Sequence, residues 1–300
     1  MALHWITASL LSALFIGVYD LCSKHAVEKN AVLPVLFWCT FCGAAVWTTL
    51  MAIQRIHPGS LPAALVTDPL SITGHLQLAL KSAIVAAAWM FSYFGIKHLP
   101  MSLSAPIRST GPLWTLCGAL LILSERPSLL ENLGILTTLL SFIALSFAGR
   151  LDGVHFHKDR WVGYLILGTV LNAISAVYDK YLLGKAHLSV PTVQAWYSVY
   201  MFAFFLPAAI GWKRRWWTRH EFQWRWTIPF IALSLLAADY VYFGALRNPH
   251  ALVAVVISLR RGSTIIAFAG AVLLFHEKYG WHKLPAVIGI LVGIVLTILG

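Results

Sequence analysis

Residues 4–23 read HWITASLLSALFIGVYDLCS, a run in which Asp20 carries the only formal charge. A helix rises about 1.5 Å per residue, so about 20 apolar residues cross the hydrocarbon core of a bilayer. Because lipid offers no hydrogen bonds to the backbone, such a run is predicted to be a helix. The pattern predicts an all-α integral membrane protein with ten transmembrane helices. The other nine runs lie at about 34–53, 77–97, 101–123, 131–149, 161–183, 191–212, 226–246, 250–274 and 283–300.

The composition excludes a water-soluble protein. Of 300 residues, 59% are apolar and 11% are charged, whereas a soluble domain carries roughly 25% charged residues. In a soluble chain, the net charge of +11 would suggest a nucleic-acid partner. Most basic residues here lie in short loops between apolar runs, where they orient helices and contact anionic headgroups. We therefore expect membrane lipid as a partner, and no nucleic acid.

Three short motifs recur in the same order in the two halves of the chain. The copies are Val18-Tyr19-Asp20 and Val177-Tyr178-Asp179, Tyr93-Phe94-Gly95 and Tyr242-Phe243-Gly244, and Arg108, Gly118, Glu125 and Arg260, Gly270, Glu277. This order predicts a duplicated five-helix unit, with one copy in residues 1–150 and the other in 151–300. An odd number of spans per unit places the two halves in opposite orientations, which is the inverted repeat of many secondary transporters.

Two of these regions carry a family resemblance. They are the first-helix stretch IGVYDLCSK (16–24) and the run Gly118…Ser124-Glu125…Gly134, with its second copy Gly270…His276-Glu277…Gly289. The sequence resembles the drug/metabolite transporter superfamily, specifically its EamA-type members with two five-helix repeats. That family usually has glycine before the glutamate, where Ser124 and His276 stand here. The resemblance implies a central cavity between the repeats, alternating access, and export or exchange of small metabolites.

Ionisable side chains inside spans are costly, and they usually face a cavity or one another. At 1.5 Å per residue, Arg108 lies about 10 Å into the fourth span and Arg260 about 15 Å into the ninth. The family also resembles the sugar-phosphate and nucleotide-sugar translocators, which bind phosphate through basic residues of the ninth helix, where Arg261 also lies. We predict that the three arginines contact an anionic substrate or act in gating. The alternative is structural pairing with acidic neighbours.

Two carboxylates fall in the last turns of helices one and six, Asp20 and Asp179. The end of helix one and the start of helix four lie on the same membrane side, so Asp20 is predicted to approach Arg108. Inverted symmetry then predicts that Asp179 approaches Arg260 on the opposite side. We interpret these contacts as two alternating salt-bridge gates, of which one is closed at a time. The alternative is that both carboxylates lie at the interface beside neighbouring lysines.

Asp239 has no acidic counterpart in the first half, since the Tyr-Phe-Gly alignment pairs it with Met90. It lies about 20 Å into helix eight. It either neutralises Arg261 or serves as a proton site for coupling, because desolvation favours the protonated carboxyl group.

Aromatic and amide side chains within spans are predicted to line the cavity. Aromatic walls suit flat or cationic solutes as well as sugars, so they do not select the ligand. The predicted wall residues are Tyr19, Trp89, Tyr93, Asn172, Tyr178 and Tyr242.

The remaining motif classes argue against metal, cofactor or enzyme chemistry. The 12 histidines form neither HxxxH nor HExxH, so no metal and no cofactor are expected. The sequence contains no P-loop and no G-x-S-x-G nucleophile motif.

The sequence therefore predicts a secondary active transporter, an exporter or exchanger of a small polar metabolite with an anionic group favoured. The alternatives are a flippase for a lipid-linked substrate and a membrane-embedded lipid enzyme. Protons or a counter-substrate would drive transport by a monomer or homodimer in the plasma membrane, and a bacterial inner membrane is expected. Loop charges predict that both termini face outside, whereas the family usually has them in the cytoplasm.

Overall fold

The computed structural model describes residues 2–99, 104, 107, 108, 110–148, 159–216, 221–263, 265, 266 and 280–300. Within these residues the chain forms ten α-helices and no strand, as the sequence predicts. The first half contains α1 (Ala2–Val27), α2 (Val32–Ile56), α3 (Ile72–His98), α4 (Gly111–Gly118) and α5 (Leu129–Ala148). The second half contains α6 (Arg160–Gly184), α7 (Val190–Lys213), α8 (Thr227–Leu246), α9 (Val253–Arg260) and α10 (Gly280–Leu299).

The outer surface of these helices is apolar. Six of the described helices, α1, α2, α3, α6, α7 and α8, are long and apolar enough to cross a membrane. Large apolar side chains point outward, including Leu121, Phe230 and Val295, which are 84%, 57% and 52% exposed. Such a surface is favourable in lipid and not in water. The chain is therefore a multi-pass integral membrane protein.

Residues 57–71 connect α2 to α3. α3 begins at Ile72, because the Ser71 hydroxyl accepts a hydrogen bond from the Gly74 N–H at 3.1 Å and caps the helix. The remaining loop contains one 3₁₀ turn, Ala63–Leu65.

Parts of the predicted repeat lie outside the described residues. These parts include the predicted boundary at residue 150, the start of the span 101–123 and the end of the span 250–274, with Gly270, His276 and Glu277. The first copy of the glutamate motif is described. α4 continues as a π-helical turn, Ala119–Leu123, and ends at Ser124, whose φ is 56°. A positive φ favours glycine, which explains physically why the family usually has glycine at this position.

The helices pack in pairs that obey a two-fold exchange of the halves. α1 packs along α8, and α3 packs along α6. If each helix is replaced by its counterpart in the other half, α1 by α6 and α8 by α3, the first pair becomes the second. The exchange maps three further pairs, α2 with α7, α4 with α9 and α5 with α10, onto themselves. This pairing is the arrangement expected of two inverted five-helix repeats.

The contact between α5 and α10 shows the same exchange at the level of single residues. A β-carbon on Gly134 would collide with Thr297 and with the Gly293 carbonyl oxygen, and one on Gly293 would collide with Thr138 and the Gly134 carbonyl oxygen. The two backbones touch because glycine leaves no side chain between them, as in other close helix pairs in membranes.

We predict that Gly293→Leu lowers the melting temperature of the purified protein in detergent. A β-carbon there would lie 2.8 Å from the Gly134 carbonyl oxygen, and overpacking of this kind costs about 1–3 kcal/mol. The control is Val292→Leu, at a position that is 47% exposed on the same helix. Equal melting temperatures for the two variants would contradict the described packing.

Candidate functional site

A central cavity lies among helices from both halves. It encloses about 1040 Å³, counting its opening, and its wall draws residues from α1, α3, α4, α6, α7, α8 and α9. Charged, aromatic and hydroxyl side chains share this wall. The polar and aromatic wall residues are Tyr19, Lys81, Trp89, Ser92, Tyr93, Arg108, Thr115, Thr169, Asn172, Ser175, Asp179, Tyr197, Asp239, Tyr242, Phe243, Arg260 and Arg261.

The first ion pair joins α1 to the residues before α4. Arg108 Nη1 donates to Asp20 Oδ1 at 2.7 Å, and the two side chains are 18% and 8% exposed. The shared membrane side of the two helix ends predicts this contact. The pair lies within the first half of the chain, beside Tyr19 and Tyr93, whose hydroxyl groups are 3.2 Å apart.

The second ion pair joins the two halves and was not predicted. Lys81 on α3 donates to Asp179 on α6, and both side chains are almost fully buried. The Lys81 ammonium also lies over the rings of Tyr197 and Phe243, at 4.4 and 5.1 Å from their centroids. Cation–π contacts of this kind are strongest where water is excluded.

The third ion pair joins α8 to α9 and bears on two predictions. Arg260 Nη2 donates to Asp239 Oδ1 at 2.9 Å. Asp179 and Arg260 are therefore not paired with each other in this structure, because each residue has another partner, and the alternation of the two gates stays a prediction. The prediction that Asp239 neutralises Arg261 is wrong, because the neighbouring arginine takes the carboxylate.

Tyr242 separates the two residues that were expected to meet. Its hydroxyl donates to Asp179 Oδ2 at 3.4 Å, and the Arg260 guanidinium lies 4.0 Å from its ring centroid. In the first half the equivalent tyrosine, Tyr93, donates its hydrogen bond to Tyr19 instead. Asp20 pairs with Arg108. The same motif thus supports different pairings in the two halves.

Arg261 differs from the other charged residues of the wall. Its Nε is buried without a hydrogen-bond partner, and among the described residues no carboxylate lies within ion-pair distance of it. Its guanidinium lies against the backbone of α4, where a β-carbon on Gly111 would be 2.7 Å from Nη2. The cavity therefore presents one guanidinium that the described part of the protein does not neutralise.

The structure brings most of the predicted aromatic residues into the wall, with one exception. Tyr19, Trp89, Tyr93, Asn172 and Tyr242 line the cavity, and Trp89 stacks on Tyr93 with the ring centroids 6.0 Å apart. The exception is the predicted wall residue at position 178.

The prediction that Tyr178 lines the cavity is wrong. Its ring stacks on Tyr181, with centroids 5.8 Å apart, and it is not part of the wall. Tyr19, its counterpart in the first half, is held inward by the hydrogen bond from Tyr93. The second-half equivalent of Tyr93 gives its hydrogen bond to Asp179, so Tyr178 has no such attachment.

Two further lysines from the spans serve helix ends and not the cavity. Lys24 Nζ donates to the carbonyl oxygens of Ile96 and Leu99 after α3. Lys180 Nζ donates to three carbonyl oxygens after α8, at Leu246, Asn248 and Ala251. An ammonium group at a helix C-terminus satisfies free carbonyl groups and interacts favourably with the helix dipole.

Sequence reasoning assigned no role to Lys81, Tyr197 or Ser92. Lys81 carried a usable signal, since it lies within an apolar span, but its partner lies 98 residues away in the chain. Ser92 belongs to the cavity wall, and its hydroxyl is buried beside Gly168 without a hydrogen-bond partner. Nothing in the sequence distinguishes this serine from others in the spans.

We predict that Lys81→Met destabilises the protein strongly, because it strands the Asp179 carboxylate in a buried site. Breaking one side of such a pair costs about 3–5 kcal/mol. The double variant Lys81→Met, Asp179→Leu removes both charges and should recover most of the lost stability in thermal unfolding. The pairing would be contradicted if the double variant lost as much stability as the two single variants lose in sum.

Comparison with known proteins agrees with this architecture. The EamA-like transporter family model matches residues 3–147 and again residues 159–299. No curated protein matches the sequence. Solved structures include 28 matching chains. One of them, described only as the crystal structure of a protein, aligns with a TM-score of 0.68 at 16% identity, over 99% of this chain and 97% of that chain. At that identity the likeness shows the fold alone. Because the family model covers both halves, the chain belongs to the EamA-like transporter family and is a membrane transporter of the drug/metabolite type.

Proposed function

We propose that the protein is a secondary active transporter of a small metabolite that carries an anionic group. The observation that carries this proposal is Arg261, the cavity guanidinium without a carboxylate partner among the described residues. A buried charge is costly unless it is paired. An anionic solute would supply the missing partner when it enters the cavity.

The charge balance of the wall supports the same conclusion. Among the described residues, four cationic side chains line the cavity, and three of them have a carboxylate partner. The three cationic side chains that already have a carboxylate partner would gain little interaction energy from an anionic solute. Arg261 gains a partner, so the binding energy of an anion would concentrate there. The free Ser92 hydroxyl adds a hydrogen-bonding group to the same wall.

The ion pairs also support alternating access. The Asp20–Arg108 contact is closed, whereas the contact related to it by the exchange of halves, Asp179 with Arg260, is not formed. This is the asymmetry expected if the two are gates and one is closed at a time. In the opposite state Asp179 would leave Lys81 and approach Arg260, and Asp20 would separate from Arg108.

We further infer that the protein acts as a monomer or homodimer in the plasma membrane, in a bacterial inner membrane, driven by protons or a counter-substrate. It performs no covalent chemistry in this scheme, since transport needs only binding of the solute and a switch in which of the two gates is closed.

The first test compares Arg261→Gln with Arg260→Gln in a thermal-shift screen of amino acids, sugar phosphates and organic acids. We expect anionic solutes to raise the melting temperature of the wild type through binding to the folded state. Arg261→Gln should remove that shift without lowering the melting temperature of the solute-free protein, because it strands no carboxylate.

The contrasting variant, Arg260→Gln, leaves Asp239 without its partner and should melt at a lower temperature even without solute. Arg247→Gln, an exposed position outside the cavity, is the control for loss of an arginine. Stabilisation of the wild type by cationic or neutral solutes only, with no effect of Arg261→Gln, would contradict the proposal. Anions found in the screen are then tested for uptake in proteoliposomes.

The gate is tested by exchanging its two charges. Asp20→Arg and Arg108→Asp should each abolish uptake of a solute identified in that screen, because each leaves two like charges face to face. The double exchange restores an ion pair and should restore measurable uptake in proteoliposomes. Failure of the double exchange to restore uptake, with the protein folded, would eliminate this pair as a gate.

A further inference from the structure

A second cavity, here called the side pocket, adjoins the central one. It encloses about 360 Å³ on the same measure, about a third of the central cavity. The two cavities share Trp89, Tyr197, Leu235 and Asp239 in their walls, so these four side chains border both spaces. Its wall consists of Cys39, Thr40, Gly43, Trp89, Gln194, Tyr197, Ser198, Met201, Ala232, Leu235, Leu236 and Asp239.

The side pocket has an apolar lining that includes deeply buried residues. Cys39, Met201 and Ala232 are only 2–3% exposed. Two hydroxyl groups of the wall are already used, since Thr40 donates to the Leu36 carbonyl oxygen and Ser198 donates to the Gln194 carbonyl oxygen. An apolar cavity of this kind holds water poorly and binds apolar groups.

One polar atom in the wall is not used by the protein. Gln194 is 1% exposed, and its Nε2 donates to the Leu236 carbonyl oxygen at 2.6 Å. Its Oε1 is buried and has no hydrogen-bond partner. A buried acceptor without a donor is unfavourable, so a group that enters the side pocket would gain by donating a hydrogen bond to it.

We propose that the side pocket receives an apolar group of the transported solute. The solute is then an amphipathic organic anion, with its acidic group at Arg261 and an apolar arm that passes Trp89 and Asp239 into the side pocket. An N–H or O–H on that arm can donate to Gln194. This inference rests on the proposed function, because it assumes that an anionic group occupies the central cavity.

The size of the side pocket limits the arm. Its far wall is formed by Thr40, Gly43 and Met201, which belong to the closely packed helices α2 and α7. A short alkyl or single aromatic group fits such a pocket, whereas the long chain of a lipid does not. The proposal thus separates a small amphipathic anion from a lipid-linked substrate.

The experiment measures binding of two homologous series, monoalkyl phosphates and straight-chain carboxylates, to the protein in nanodiscs by calorimetry. Affinity for at least one series should rise about fourfold per added methylene over the first few carbons and then stop rising. The variant Gly43→Leu fills the side pocket, since a β-carbon on Gly43 meets only Leu236, at 3.9 Å. It should flatten the dependence on chain length, so that the ratio of butyl to methyl affinity falls close to one.

Two further variants keep the test decisive. Ala232→Leu fills the side pocket from α8 and replaces Gly43→Leu if that variant does not fold. Val46→Leu, on an outward position of α2 that is 37% exposed, should keep the wild-type dependence and reports any general effect of α2 substitutions.

The outcomes separate this inference from the proposed function. If the short anions bind and Arg261→Gln weakens them, but affinity does not depend on chain length, only the side-pocket proposal is overturned. A chain-length dependence that persists in Gly43→Leu and Ala232→Leu, or that continues to rise for long chains, overturns it as well. If no anion of either series binds, the proposed function fails and this inference fails with it.

Discussion

A charge buried among helices in lipid must have a partner, and the structure is organised around this constraint. Three ion pairs, Asp20–Arg108, Lys81–Asp179 and Asp239–Arg260, place opposite charges in direct contact around one cavity. Water and counter-ions are scarce there, so each pair holds its two helices together and neither partner can leave alone without a large cost. Arg261, which has no carboxylate partner among the described residues, is the basis of the proposed preference for an anion.

The two halves repeat the fold but not the pairing, and this difference makes the two proposed gates unequal. Lys81 corresponds to Phe230 by the Tyr-Phe-Gly alignment, and Asp239 corresponds to Met90. The first half lacks counterparts of these extra pairings, so Asp20 and Arg108 pair with each other. Lys81 of the first half and Asp239 of the second half give Asp179 and Arg260 other partners. If Asp179 exchanges Lys81 for Arg260 in the proposed alternation, its carboxylate has a cationic partner in both states.

Much of the fold was predictable from the sequence, because the signals are local. Apolar runs of span length predicted the helices, and short repeated motifs such as Val18-Tyr19-Asp20 predicted the duplication. The Asp20–Arg108 contact followed from topology. Topology fixes the membrane side of a residue but not the direction of its side chain. The partners of Asp179 and Asp239, and the outward position of Tyr178, depend on which hydroxyl or ammonium lies nearest across a helix interface.

The most direct test of this account is an experimental structure of the protein with a bound organic anion, at a resolution that defines side chains. The account predicts the acidic group of the solute within hydrogen-bond distance of Arg261, with the Lys81–Asp179 and Asp239–Arg260 contacts retained on either side. An acidic group bound elsewhere, with Arg261 paired to a carboxylate of the protein, would contradict it.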